Sequence, residues 1–245
     1  MNPDTVRIID KYIGQPLCFI LTIHRHFLEL FSLRKHPIPR IRKILFIKLV
    51  EQGATVLAYT AMQEAIERYG RQNVFFCVFE ENRAILDVMD IVPSENIFAV
   101  RHANILVFFI DILKMIRLTR KIGIDATIDM EFFSRASAVM AYLVGASCRV
   151  GLHRFNSEGP YRGDLMTHRL QYNPYLHTAK TYLLLVKALE MDQQDLPLPK
   201  YPACDLAVSA PTFIPREDEK IRMVSRLQNE GIMPFQGPVI LLNPN

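Results

Sequence analysis

Apolar and polar positions along residues 41–200 fall into short blocks that predict strands and helices in turn. Apolar runs predict five strands, and helical spacing between them predicts four helices. Strands that alternate with helices form a parallel sheet covered on both faces, so the pattern predicts a Rossmann-like doubly wound parallel sheet of the α/β class. The predicted strands are 43–49, 73–79, 96–100, 124–129 and 148–152, and the predicted helices are 54–69, 81–89, 104–121 and 133–144.

Residues that follow the first strand are candidates for function, because ligands of such sheets bind at the carboxyl ends of the strands. Lys48 either faces this crevice from the end of the strand or extends from a packed face. Gly53 predicts a tight turn, and the helix that follows offers N–H groups to a substrate. A single glycine is neither a dinucleotide fingerprint nor a nucleotide-phosphate loop. The substrate-binding candidates here are Lys48, Gln52, Gly53 and Thr55.

Two further loops are expected to reach the same crevice. Glu131 and Arg135 follow the fourth strand, and the polar loop 151–164 after the fifth strand carries Arg154 and Arg162. Guanidinium groups bind the phosphates or carboxylates of acidic substrates well, which makes these three arginines candidates for acceptor binding. The alternative is structural ion pairing, with Asp164 or Glu158 as partners. His153 and His177 are interpreted as hydrogen-bonded structural residues.

Composition limits the class of protein. The chain has 245 residues, half of them hydrophobic, enough to bury the core of one large or two small domains. The four cysteines are far apart and lack zinc-site spacing, which predicts reduced thiols and a cytoplasmic location. No carboxylates show the spacing of a metal site, so no metal is predicted.

The basic charge is concentrated at the N-terminus. Residues 1–43 hold eight Lys or Arg against three Asp or Glu, whereas the rest of the chain is close to neutral. A protein that binds nucleic acid would more often carry its basic residues on the working domain, so no nucleic-acid partner is predicted.

Residues 1–40 are predicted to form an amphipathic helical extension. Leu17, Ile20, Leu21, Phe27, Leu28 and Phe31 recur near helical spacing, and Pro37 and Pro39 end the helix. One interpretation is a helix packed on the main domain. The other is a helix lying on an anionic membrane surface, which would make the protein peripheral to the cytoplasmic membrane. In that case the headgroups would be contacted by Arg25, Arg34, Lys35, Arg40 and Arg42.

Three segments together resemble glycosyltransferase family 9, the heptosyltransferases of lipopolysaccharide assembly and their relatives. They are "ILFIKLVEQGATVLAYTAMQEAI" (44–66), "DATIDMEFFSRASAVMAYLVGASCRVGLHR" (125–154) and "GPVILLNPN" (237–245). The resemblance implies the N-terminal half of a two-domain GT-B fold, with residues 41–200 as a Rossmann-like acceptor domain. Residues 201–245 would then be the linker and first strand of a missing C-terminal donor domain.

The resemblance also implies a reaction. Such enzymes move a sugar from a nucleotide-sugar donor, here ADP-heptose, to a lipopolysaccharide, lipid-linked or polysaccharide acceptor, and the donor is a substrate rather than a cofactor. In the family an Asp commonly follows the turn glycine and acts as the base, but the matching residue here is Ala54. Either Glu51 or Glu131 replaces it, with Glu51 preferred because it shares the turn, or the chain is a degenerate domain that binds a glycan or partner without transfer.

Overall fold

The computed structural model describes residues 10–31, 40–155, 160–199 and 206–235, together with 237 and 240. The chain divides into two units, Met1–Pro211 and Thr212–Asn245. Helix α8, Glu217–Asn229, lies in the second unit, where the Arg216 backbone N–H donates to the Glu219 carboxylate (2.9 Å) at its start. Glu158 and residues 200–205, which include Cys204, lie outside the described residues. So does the segment "GPVILLNPN" apart from residues 237 and 240, so the strand predicted there stays a prediction.

The first unit contains a six-stranded sheet in which every strand pair is parallel, in the order β3-β2-β1-β4-β5-β6. This is the strand order of a doubly wound Rossmann sheet, and the predicted fold class is confirmed. The five predicted strands are present to within two residues, and β6 was not predicted. The strands are β1 Ile44–Ile47, β2 Val74–Phe79, β3 Ile97–Val100, β4 Ala126–Asp129, β5 Cys148–His153 and β6 His168–Gln171.

Helices cover both faces of the sheet. The helix predicted over 54–69 is divided at Ala58 into α2 and α3, the other three predicted helices are present, and α7 was not predicted. The helices of the first unit are α1 Gln15–Phe31, α2 Gln52–Leu57, α3 Tyr59–Tyr69, α4 Arg83–Met89, α5 Ile105–Ile122, α6 Arg135–Leu143 and α7 Thr178–Lys187.

The core forms two layers because successive strand residues point to opposite faces of the sheet. On β1, Ile44 and Phe46 enter one apolar cluster, whereas Leu45 and Ile47 enter the other. Every residue of β1 is buried, which explains why the strand is an uninterrupted apolar run. The described cysteines Cys18, Cys77 and Cys148 are buried free thiols, and burial raises the pKa of Cys77 to about 12.

Helix α1 packs on the domain through small and polar residues. The Arg25 guanidinium is buried and donates to the carbonyls of Asp164 (2.7 Å) and Met166 (3.2 Å), and the Thr22 hydroxyl accepts from the Asp164 backbone N–H (2.8 Å). Gly163 has a φ of 75°, and a Cβ there would lie 2.8 Å from the Cys18 carbonyl, so this contact requires glycine.

Most of the large apolar residues of α1, and Tyr12 just before the helix, are exposed. Tyr12, Phe19, Ile20 and Ile23 are each more than half exposed. Of the predicted stripe, Ile20, Phe27 and Leu28 are at least half exposed, whereas Leu21 packs on the core. The predicted packed helix is therefore correct in position, but most of its apolar stripe does not face the core. Arg25, assigned above to lipid headgroups, is buried against the domain, while Arg40 and Arg42 are exposed. Arg34 and Lys35 lie outside the described residues. Within the part of the chain that the structure describes, no helix has the length and apolarity needed to cross a membrane.

Burial of His168 on β6 makes stability depend on pH. Burial lowers the pKa of its imidazole from 6.5 to about 4, so between these values the unfolded chain takes up a proton that the folded chain does not. The free energy of unfolding therefore has its full value above pH 6.5 and decreases as the pH is lowered, by ~2 kcal/mol at pH 5 according to proton linkage. Urea unfolding at pH 7.5 and 5 measures this. We expect His168→Gln to reduce the pH dependence and His26→Gln, at an exposed histidine, to leave it unchanged; equal slopes for all three proteins would contradict the assignment.

Candidate functional site

The candidate site lies where the strand order reverses, between β1 and β4. The connections from these two strands leave in opposite directions along the sheet, which opens a crevice at their carboxyl ends. The loop 48–51 follows β1, and the loop 130–134 follows β4. The sheet therefore places Lys48, Glu51 and Glu131 together, although they are separated by up to 83 positions in the sequence. The sequence had predicted that these loops meet at one crevice.

Glu131 joins the two loops. One of its carboxylate oxygens accepts from the backbone N–H groups of Leu49 (2.7 Å) and Val50 (3.1 Å), and the other accepts from the Lys48 ammonium (3.2 Å). The residue is only 7% exposed. Since both oxygens are occupied by protein donors, Glu131 is better placed to hold the β1 loop than to take a proton from a substrate.

Lys48 lies at the end of the strand and faces the crevice, the first of its two predicted positions. Its side chain is 2% exposed, and its Nζ lies 3.2 Å from Glu131 Oε2 and 3.8 Å from Glu51 Oε2. A buried ammonium needs such partners to offset its desolvation. Lys48 thus places a positive charge between the two glutamates.

Glu51 is the exposed carboxylate of this cluster. Its side chain is 73% exposed, and its backbone has φ 70° and ψ 95°. A positive φ is uncommon for a residue with a Cβ and costs on the order of 1–3 kcal/mol, and such residues concentrate at functional sites. The sequence had assigned the tight turn to Gly53, which is wrong: Gly53 lies within α2 and is not among the residues with positive φ.

The other candidates on this loop differ in accessibility. Gly53 is exposed, and a Cβ there would meet no atom within 4 Å. Gln52 is exposed and donates to the Glu81 carbonyl (3.2 Å). Thr55 is fully buried, and its backbone N–H (3.1 Å) and hydroxyl (3.3 Å) both donate to the Glu51 carbonyl. Thr55 therefore supports the strained turn from within the protein.

Arg162 is buried beneath the crevice. It is 6% exposed and pairs with the fully buried Asp129, and it also donates to the carbonyls of Ser134 (2.8 Å) and Leu152 (3.2 Å). Burial raises the pKa of Asp129, an effect that the Arg162 guanidinium opposes. The structural ion pair considered above is present, with Asp129 as the partner rather than Asp164, while Glu158 lies outside the described residues.

The remaining predicted arginines and histidines lie around the loop after β5. Arg135 pairs with Asp10 and donates to the Tyr161 carbonyl (2.7 Å), whereas Arg154 is exposed. His177 Nδ1 accepts from the Ala179 N–H (3.2 Å) and caps α7, and burial lowers the pKa of His153. Substrate-binding roles for Arg135 and Arg154 stay predictions.

Tyr182 on α7 was missed by the sequence analysis. Its ring is fully buried and stacks on that of Phe132, the residue directly after Glu131, with 5.7 Å between the ring centroids. Its hydroxyl has no hydrogen-bond partner among the residues that the structure describes, and its pKa is raised by burial and by the nearby carboxylates of Glu131, Glu51 and Asp129. The apolar period of residues 178–187 could have revealed the helix, but not the position of this ring.

The strand order and the crevice at its reversal define a Rossmann-like α/β domain. The sequence matches no protein-family model and no curated protein sequence. Solved structures share the fold. A family 9 glycosyltransferase from Veillonella parvula is similar with a TM-score of 0.56 and 12% identity, over 79% of this chain and 51% of that chain.

The E. coli heptosyltransferase WaaC is also similar, in structures with ADP-2-deoxy-2-fluoro heptose and with ADP. Both have a TM-score of 0.50 and 14% identity, and they cover 66% and 62% of this chain and 51% and 49% of that chain. The resemblance to family 9 that the sequence indicated is thus confirmed at the level of fold. This chain spans about half the length of the solved structures it matches.

Proposed function

We propose that this chain is part of a glycosyltransferase of the heptosyltransferase type, with the described domain shaping the acceptor site. The observation that carries the proposal is Glu51, an exposed carboxylate on a strained backbone at the sheet crevice, in a fold shared with glycosyltransferases. Natural chains retain strain of this kind where function requires it.

The chemistry assigned to Glu51 is general base catalysis with inversion. The carboxylate takes the proton of the acceptor hydroxyl while the oxygen attacks the anomeric carbon of the donor. The new glycosidic bond forms as the bond from that carbon to the nucleotide phosphate breaks, and the nucleoside diphosphate departs with the electron pair. Glu131 and Lys48 hold the loop on which Glu51 lies.

ADP-heptose is the donor we propose, because the WaaC structures contain ADP and an ADP-heptose analogue. A lipopolysaccharide or other glycan is the proposed acceptor. The test is acceptor-dependent release of ADP from ADP-heptose by the natural full-length protein. Release that needs no acceptor, or no release with any glycan acceptor, would contradict the proposal.

A degenerate binding domain is the second candidate function. The observation that favours it is Ala54, partly buried within α2, at the position where the family carries its base. In that case the protein would bind a glycan at the same crevice without consuming a nucleotide sugar. Glycan binding in the absence of any ADP release would support this candidate over the first.

The exposed apolar face of α1 supports a peripheral membrane location as part of the proposed function. Phe19, Ile20 and Ile23, together with Tyr12 just before the helix, form this face, and the exposed Arg40 and Arg42 favour anionic lipid. We expect co-sedimentation with phosphatidylglycerol-containing vesicles that weakens with salt.

The matched variants distinguish this face from general adhesion. Replacing both Phe19 and Ile23 with Ser should lower vesicle partitioning at least tenfold, since complete burial of each apolar side chain contributes on the order of 1.5–3 kcal/mol and even partial burial of two exceeds the roughly 1.4 kcal/mol of a tenfold change. Val88→Ser removes an exposed apolar residue from α4 and should change nothing. Equal partitioning of the Phe19/Ile23 variant and the parent protein would reject the membrane face.

A further inference from the structure

A cavity of about 560 Å³ opens at the carboxyl ends of β5 and β6, beside the crevice described above. Its volume is in the range of small-molecule sites. One wall is the segment 171–176 after β6, and another is residues 197–199, where the Gln171 N–H donates to the Leu198 carbonyl (3.1 Å). Thr181 and Leu184 of α7 complete it.

The lining of the cavity is aromatic, amide and aliphatic. Tyr172 and Tyr175, the latter at the exposed rim, are its aromatic residues, and Gln171, Asn173 and Thr181 carry neutral hydrogen-bonding groups. None of the described residues that line it has a charged side chain. A phosphate, a carboxylate or a nucleoside diphosphate would lose its hydration here without gaining a cation. A neutral sugar ring suits it, because its C–H face packs on an aromatic ring and its hydroxyl groups bond to amides.

The cavity and the crevice share an aromatic wall. The Tyr172 ring packs on Phe132 (5.4 Å between centroids) and Phe133 (5.5 Å), the two residues that directly follow Glu131. Phe132 also stacks on Tyr182, the neighbour of Thr181 in α7. A glycan that presents one hydroxyl at the crevice therefore has an adjacent cavity for another of its sugar residues.

We infer that this cavity is a subsite for a neutral sugar residue of the acceptor glycan, next to the residue that would be glycosylated. The assignment of the bound sugar to an acceptor rests on the proposed function, whereas the binding of a neutral sugar in this cavity does not. It also differs from the acidic acceptor predicted from Arg135, Arg154 and Arg162, because two of those guanidinium groups are bonded within the protein.

The test is a titration of the 245-residue chain with methyl hexopyranosides and methyl heptopyranosides, followed by backbone amide chemical shifts. Methyl glucuronide, which adds a carboxylate to the same ring, is the matched charged probe. We expect shifts at residues 171–173, 175 and 176 and at Thr181 with the neutral sugars, and at least threefold weaker binding of the glucuronide. Shifts at residues 49–53 instead, or equally tight glucuronide binding, would overturn the subsite.

Variants of the lining sharpen the result. Tyr172→Leu should weaken the neutral sugar about three- to tenfold, as expected from losing one aromatic contact, while Tyr172→Phe keeps the ring and its packing on Phe132 and should bind nearly normally. Gln171→Ala tests the amide at an exposed position and should also weaken binding. Phe109→Leu on α5 is the control for an exposed aromatic residue elsewhere. Unchanged binding in both Tyr172→Leu and Gln171→Ala would overturn the inference.

Failure of the subsite and failure of the proposed function give different results. Sugar transfer by the full-length protein without shifts at 171–176 would reject the subsite alone. Shifts at 171–176 without any transfer would retain the sugar-binding cavity and reject the transferase.

Discussion

Replacing Glu51 with Gln in the natural full-length protein should lower kcat for sugar transfer by ~10²–10⁴-fold, the usual effect of removing a general base. The amide keeps the shape of the side chain and the φ of 70°, so the fold and donor binding should be retained. The measurement is steady-state release of ADP with saturating donor and acceptor. An equal fall in kcat and kcat/KM would indicate an interaction made only in the transition state.

Two further variants separate the carboxylate from the backbone on which it lies. Glu67→Gln changes an exposed glutamate on α3 and should leave kcat unchanged. Glu51→Gly should be as inactive as Glu51→Gln, yet about 1 kcal/mol more stable, because glycine adopts a positive φ without strain. A gain in stability with a loss of activity would show that the chain retains a strained glutamate for its chemistry.

Other outcomes would assign the chemistry differently. Glu131→Gln should be milder in kcat, because Glu131 mainly holds the loop through Leu49 and Val50. If it abolishes transfer while Glu51→Gln is active, the base comes from β4. If neither change matters but Ala54→Asp creates or greatly raises activity, the natural chain is a degenerate transferase.

The sheet could be predicted from sequence because its central strands are buried on both faces. β1 and β2 are apolar runs bounded by polar residues, a pattern that periodicity recognises. The edge strand β6 reads His-Arg-Leu-Gln, with one apolar residue in four, and pairs on one side with β5 and at a single bridge with Leu198. Its pairing comes from tertiary contacts that no local pattern contains.

The site could be predicted in part for the same reason. The rule that functional residues lie at the carboxyl ends of parallel strands predicted that Lys48, Glu51 and Glu131 lie together, since it depends only on which residues follow which strand. This rule does not predict backbone conformation. Glycine is the usual residue at positive φ, so the turn was assigned to Gly53, whereas Glu51 is the residue that adopts the positive φ. Burial of Arg162, on the loop between β5 and β6, could not be predicted either, because its partner Asp129 lies 33 positions away at the end of β4.

Replacing Arg162 with Met should lower the free energy of unfolding by about 3–5 kcal/mol, since it leaves the Asp129 carboxylate buried without its cation. The Leu152 carbonyl loses the Arg162 donor as well, and the Ser134 carbonyl keeps only its bond from the Ser137 hydroxyl among those described. Urea unfolding of the first unit's sheet, followed by circular dichroism, measures the change. Arg117→Met, on the exposed face of α5, should stay within about 0.5 kcal/mol of the parent.

The combination of Arg162→Met with Asp129→Leu distinguishes a buried pair from a substrate contact. Removing both charges should recover much of the lost stability, because a buried pair replaced by apolar residues is often nearly neutral. If Arg162 instead binds an acidic acceptor, Arg162→Met should leave stability unchanged and raise the acceptor KM, and Asp129→Leu should not compensate. The burial of both residues and the carbonyls around the guanidinium favour the first result, which would make this pair a support for the crevice floor between β4 and β5 rather than part of the acceptor site.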